Sequence, residues 1–155
     1  QVSDAFTGIK CEVRMFKGSM SPDNPDAIYE PSDNVFRPKT NLQSFKNKRS
    51  QYYWMLRDRF YKTYRAVVKG DYIDPDELIS LSSDIKDLQQ LRSEVCRIPL
   101  KPNANGLIQI MSKQEMLDKH QIQSPNMADC LMMSMELPDV MDEFEPLNYQ
   151  KMSIA

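Results

Sequence analysis

With 155 residues the chain has room for one domain with a single core, and its 41% apolar and 27% charged content is that of a globular protein. No run approaches the roughly 18 consecutive apolar residues that cross a bilayer, and the start, Gln1-Val2-Ser3-Asp4, lacks the basic and apolar regions of a secretion signal, so the reading is a soluble, unsecreted protein without a membrane partner. The net charge of −2 conceals a segregation: Lys46, Lys48, Arg49, Arg57, Arg59, Lys62, Arg65 and Lys69 face a single acid, Asp58, which makes this segment +7 and leaves −9 to the remainder.

In chain order, Lys10 to Phe16 alternates polar and apolar residues up to Gly18 and predicts a strand. Residues 18 to 43 hold Pro22, Pro25, Pro31 and Pro38, too many for a regular element, and predict a long loop. Ser44 is the expected N-cap of a helix from Phe45, whose apolar positions Tyr52, Leu56, Phe60 and Tyr64 recur at helical spacing. The aromatic cluster Tyr52, Tyr53 and Trp54 reads mainly as core. Lys48, Arg49, Arg57 and Arg59 lie off the apolar stripe, available to solvent or to a polyanion. Charge alone fits a solvated helix face as well as a phosphate-facing one.

A second helix is expected through Ile85, Leu88, Leu91 and Val95, with Ser83 as its cap. The run from Cys96 to Met111 predicts a β-hairpin around Asn103-Ala104-Asn105-Gly106, because Gly106 accepts the positive φ of such a turn. Ser112 and Glu115 form a capping box and open a short helix. Pro125 is expected at the first position of a last helix containing Met127, Ala128, Leu131, Met132 and Met135. The odd number of cysteines, Cys11, Cys96 and Cys130, each in an apolar periodic segment, reads as buried reduced thiols rather than a disulfide framework. One histidine, His120, excludes a multi-histidine zinc site, and no Gly-rich phosphate loop, HExxH or GxSxG is present. From Glu136 the sequence turns acidic, through Asp139, Asp142, Glu143 and Glu145.

Three stretches carry a resemblance: Phe45-Lys46-Asn47-Lys48-Arg49-Ser50-Gln51-Tyr52-Tyr53, the Asn103–Met111 turn region followed by Ser112-Lys113, and Ser124-Pro125-Asn126-Met127-Ala128-Asp129-Cys130-Leu131. In that order the chain resembles the closing half of the RNase H-like nuclease domain in large terminase subunits of tailed double-stranded DNA phages, podovirus-type headful packagers in particular. The resemblance implies an α/β fold with a projecting β-hairpin and a nuclease part over 1–137, and the run of acidic residues reads as a flexible tail over 138–155. It implies a metal-dependent endonuclease that cuts concatemeric viral DNA during packaging, in the cytoplasm of a bacterial host. The implied partners are double-stranded DNA, the small terminase subunit and the portal protein.

In that family three acidic side chains hold two divalent metals, Mg²⁺ or Mn²⁺, and Asp129 matches the third of them, so that the resemblance makes it catalytic and a metal ligand. Hard oxygen ligands suit such ions, which in pairs acidify a water and neutralise a leaving oxygen. Asn126 shares the helix face of Asp129 and is a candidate to support it. Lys46, Lys48, Arg49, Arg57 and Lys113 are the candidate DNA contacts, Lys113 being equally compatible with a solvated first-turn lysine. The strands bearing the first two acids are expected before Gln1, since Asp4 and Glu12 do not stand in the corresponding motifs. The expectation is therefore a truncated nuclease, weakly active or inactive by itself. The alternative is a non-catalytic module that binds DNA or the portal.

Overall fold

A computed structural model describes residues 15–29 and 38–136. The start of the expected strand (10–14), Cys11 and the acidic tail after Glu136 lie outside the described residues. Met15 and Phe16, at the end of that expected strand, are not in a strand.

The long helix does not begin where Ser44 suggests. Thr40 and Gln43 form a capping box that starts a single helical turn, α1 (Asn41–Ser44), and the Ser44 hydroxyl donates back to the Thr40 carbonyl at 2.8 Å. Phe45 then runs extended and almost fully buried, in a parallel bridge with Ile108. The cap of the next helix, α2 (Lys48–Tyr64), is Asn47, whose side-chain oxygen accepts from the Ser50 amide at 2.9 Å and the Ser50 hydroxyl at 2.7 Å. The remaining first-turn amides donate to the preceding loop, Lys48 to the Met20 carbonyl at 2.8 Å and Arg49 to the Gly18 carbonyl at 2.9 Å. The free donors of a helix start are thus satisfied by a segment about 30 residues upstream, which fixes that loop against α2. A Cβ on Gly18 would stand 2.9 Å from the Arg49 Cβ, so the approach requires glycine there.

Past Tyr64 the helix widens into a π turn over Arg65–Lys69 and stops at Gly70, which takes φ 75°. A 3-10 turn (Pro75–Glu77) follows, with Asp74 as its cap. Helix α3 (Leu88–Val95) starts a turn later than the periodicity from Ile85 predicts, and its cap position is Asp87, not Ser83. Serine chemistry is used earlier, where the Ser82 hydroxyl accepts from the Asp84 amide at 3.1 Å and holds a turn.

After α3 the chain turns at Asn103–Gly106. The Asn103 side chain accepts from the Asn105 and Leu107 amides and donates to the Leu107 carbonyl, and Gly106 takes φ 66°. The two arms meet through one antiparallel bridge, Leu100 with Ile110, flanked by the bonds from the Lys101 amide to the Gln109 carbonyl and the Met111 amide to the Pro99 carbonyl. Pro99 and Pro102 have no amide to donate, and among the described residues β pairing is confined to isolated bridges. Helix α4 (Lys113–His120) begins with the capping box read from sequence, Ser112 accepting from the Glu115 amide and Glu115 from the Ser112 amide. Helix α5 (Asn126–Met133) begins one residue after buried Pro125, which holds the cap position.

The core is built where α2, α5 and the 110–116 segment meet, from Tyr52, Tyr53, Leu56, Ile110, Met111, Met116, Ala128 and Met132. Burying a side chain such as Leu56, 1% exposed, stabilises the fold by about 1.5–3 kcal/mol. The cysteines correct the sequence reading: Cys96 and Cys130 are free thiols but exposed, because each falls on the solvent side of its helix end or helix.

Candidate functional site

Asp129 sits in the first turn of α5, one residue after Ala128, whose methyl is fully buried against the core. Its side chain is 11% exposed and each oxygen is occupied. Oδ1 accepts from the Tyr53 hydroxyl at 2.6 Å and from Arg49 Nη2 at 3.3 Å, and Oδ2 lies 2.7 Å from Lys113 Nζ. Arg49 is itself held, donating from Nη1 to the Met111 carbonyl at 2.8 Å with its guanidinium over the Tyr53 ring. Burial works to raise the Asp129 pKa. The bonds from Lys113 and Tyr53 and the charges of Arg49 and Lys113 outweigh it, so the carboxyl is held below its ordinary value and is ionised at neutral pH. The Tyr53 hydroxyl is pushed well above the ordinary tyrosine range, by burial first and then by its bond to this carboxylate. It stays a donor throughout the physiological range.

Asp129 opens onto a cleft of about 310 Å³ lined by Phe16, Gly18, Arg49, Lys113, Asn126, Asp129, Cys130, Met132 and Met133. The structure therefore brings together four residues singled out from sequence: Asp129, Arg49, Lys113 and Asn126. Lys113 is half exposed at the start of α4, and exposed Asn126 accepts from the Ser124 hydroxyl at 2.8 Å. Lys46 is exposed just before α2. Arg57 is solvent-facing, stacked on Trp54 with 4.5 Å to the ring centroid and paired with Asp58 at 2.9 Å.

Lys48 and Arg49 are not the freely available cations that the helix stripe suggests. Their side chains are 12% and 17% exposed, because both lie at the point where the 15–29 loop and the end of α5 close over α2. Lys48 Nζ pairs with Asp23 at 3.1 Å and with Glu136, and rests near the rings of Phe16 and Tyr52. Arg59 is likewise occupied, donating to the Asp76 and Leu78 carbonyls. Tyr53 is core, as its sequence position suggests, yet its hydroxyl faces Asp129, a role that sequence reasoning misses. The only sequence signal for it is that a buried tyrosine needs a partner for its hydroxyl.

Among the described residues no three His, Cys, Asp or Glu side chains come together to hold a metal ion. With one carboxylate whose two oxygens already face Lys113, Arg49 and Tyr53, these residues by themselves do not fit a two-metal centre.

No protein-family model and no curated protein matches the chain. Solved structures do. The nuclease domain of the large terminase subunit gp2 of bacterial virus Sf6 is 45% identical, with a TM-score of 0.77, covering 88% of this chain and 58% of that one. A mutant of the same domain with manganese and beta-thujaplicinol matches equally, and a mutant with calcium is 44% identical with a TM-score of 0.78. The chain thus spans less than three-fifths of the length of the solved chains it matches. Over the matched part the fold is that of a terminase nuclease domain, while the described residues form helices with β pairing confined to isolated bridges, so the expected sheet and the full hairpin ladder are not seen among them.

Proposed function

We propose, for a chain that belongs to the nuclease-domain family of phage large terminase subunits, that it forms part of a packaging endonuclease and supplies one carboxylate, Asp129, to its divalent-metal site. The observation that carries this reading is an ionised carboxylate, largely removed from water, at the base of a cleft edged by Arg49 and Lys113. Mn²⁺ or Mg²⁺ is the proposed metal, in keeping with relatives solved with manganese or calcium. Double-stranded DNA is the proposed substrate, and the small terminase subunit and the portal are the proposed partners, in a bacterial host's cytoplasm. No helix among the described residues is long and apolar enough to cross a membrane.

The chain's own residues divide the work. Tyr53 and Arg49 hold the Asp129 carboxylate in one orientation and in its charged form. Lys113, half exposed, presents its ammonium at the cleft mouth to a phosphate oxygen. Exposed Lys46 and Arg57 contact the DNA backbone without reading sequence. Lys48 and Arg49 support the surface from beneath. The 96–111 arms project toward the duplex.

One carboxylate does not balance the repulsion between two divalent ions a few ångströms apart. The described part is accordingly proposed to bind a single metal weakly and to cut poorly on its own, and the engagement of both Asp129 oxygens by Lys113, Arg49 and Tyr53 favours a second reading, a DNA- or portal-binding module. A manganese titration by calorimetry together with a plasmid-nicking assay tests both. The expected result is weak binding that Asp129→Asn removes, with little nicking by the 155-residue chain. Robust nicking that survives Asp129→Asn refutes the assignment. For the DNA surface, Lys46→Ala with Arg57→Ala is expected to lower the salt slope of duplex binding by about one unit for each phosphate no longer neutralised. An unchanged slope moves the DNA surface elsewhere.

A further inference from the structure

Helix α5 has an unsolved problem at its start. Pro125 at the cap position offers no side-chain oxygen, and the Ser124 hydroxyl is turned to the Asn126 side chain. The Asn126 amide donates to the Ser124 carbonyl at 2.9 Å, and the Asp129 amide makes the first ordinary helical bond, to Pro125, at 2.8 Å. Two donors remain, the amides of Met127 and Ala128, beside core residues that exclude water. Both are taken by one atom from another helix: Oε2 of Glu94 on α3 accepts from Met127 at 2.8 Å and from Ala128 at 3.1 Å. Its other oxygen, Oε1, accepts from Gln90 Nε2 at 3.0 Å one turn earlier on α3, which fixes the rotamer. Helices α3 and α5 are in direct contact along this seam.

We infer that Glu94 is a positioning residue for Asp129: a cap delivered from α3 that sets where the first turn of α5, and with it the carboxylate, stands relative to Lys113, Arg49 and Tyr53. The anchored amides are those of the two residues immediately before Asp129, so a rotation or slide of that turn carries its side chain directly. A carboxylate at a helix N-terminus also faces the positive end of the helix dipole, which favours the contact in its charged form. The bond spans 33 residues of sequence, so no local cap pattern reveals it.

This inference rests on the reading of Asp129 as a metal ligand, and two measurements on the full chain keep the two claims apart. Amide hydrogen exchange at Met127 and Ala128 reports the cap; Mn²⁺-induced broadening of the Cys130 and Leu131 amide resonances reports metal at Asp129. In Glu94→Ala, exchange at the two amides is expected to rise by about tenfold or more while the Leu56 and Met116 amides keep their protection. The manganese concentration for half-broadening is expected to rise about tenfold, as when the support behind a metal ligand is removed. Glu94→Gln keeps an acceptor oxygen and is expected to stay close to the parent in both, which provides the test should the alanine variant fold poorly. Unchanged exchange in Glu94→Ala overturns the cap. Faster exchange with unchanged manganese response overturns the positioning role and leaves a purely structural one. Broadening that persists in Asp129→Asn overturns the metal-ligand reading, with the exchange result unaffected.

Discussion

The two ends of α2 carry the same kind of side chain and put it to different use. At the N-terminal end Lys48 and Arg49 are drawn inward, toward Asp23, Glu136 and Asp129 and onto aromatic rings. Toward the C-terminal end Arg57, Lys62 and Arg65 pair with Asp58, Glu77 and Asp71, acids on the same helix or on the connector just after it, and remain largely solvated. Net charge treats the two ends alike. What separates them is which partners the fold brings in and how much water stays, since an ion pair in water contributes little whereas breaking a buried one leaves an uncompensated charge.

The contrast is tested most severely in the apolar stripe. Leu56→Ala, in the buried half, is expected to cost about 3 kcal/mol in urea unfolding. Tyr64→Ala, two turns on along the same stripe and half exposed, is expected to cost less than about 1 kcal/mol. Equal losses would erase the distinction between the ends. Next comes Arg49→Ala, which removes the side-chain donor to the Met111 carbonyl and leaves Asp129 Oδ1 with the Tyr53 hydroxyl alone, and is expected to cost about 2 kcal/mol.

A pH series sharpens the picture. The Asp129 pKa is depressed in the folded chain, so its contribution is fully present above the unfolded carboxylate value, near 4, and is lost as pH falls through the lower folded value. Glu115, lowered to about 2 by the Lys101 contact and the Ser112 amide, acts in the same direction in the same acid range. Stability is expected to hold from pH 7 to 5 and to fall below 4, with a shallower fall in Asp129→Asn, read from the urea midpoint at each pH. Smallest of all is Lys62→Ala, whose solvated pair with Glu77 is expected to change unfolding free energy by no more than about 0.5 kcal/mol.

The parts legible in the sequence are those set by neighbours a few residues apart. The Ser112 and Glu115 capping box, the turn at Gly106, the Tyr52–Leu56 stripe and the helix bearing Asp129 all depend on local spacing. The parts that were not legible depend on distant segments. Ser44 and Asn47 are both competent caps, and the extended, buried path of Phe45 beside Ile108 decides between them. Lys48 and Arg49 read as solvent-facing because their partners, Glu136, Met111 and Asp129, lie 62 to 88 residues away. The exposed Cys96 and Cys130 show the converse, apolar neighbours in sequence that do not become neighbours in space.

The bonds that converge on Arg49 also bear on the order of assembly. They close loops of 62 and 80 residues, and closing such loops costs entropy that is recovered only when most other contacts exist. Local turns such as α1 and the Ser112 cap can form early, while the ring of donors around Asp129 closes among the last events of folding. A partly folded chain therefore presents this aspartate as an ordinary hydrated side chain, and its desolvated, oriented charge arises only once the whole described domain is in place.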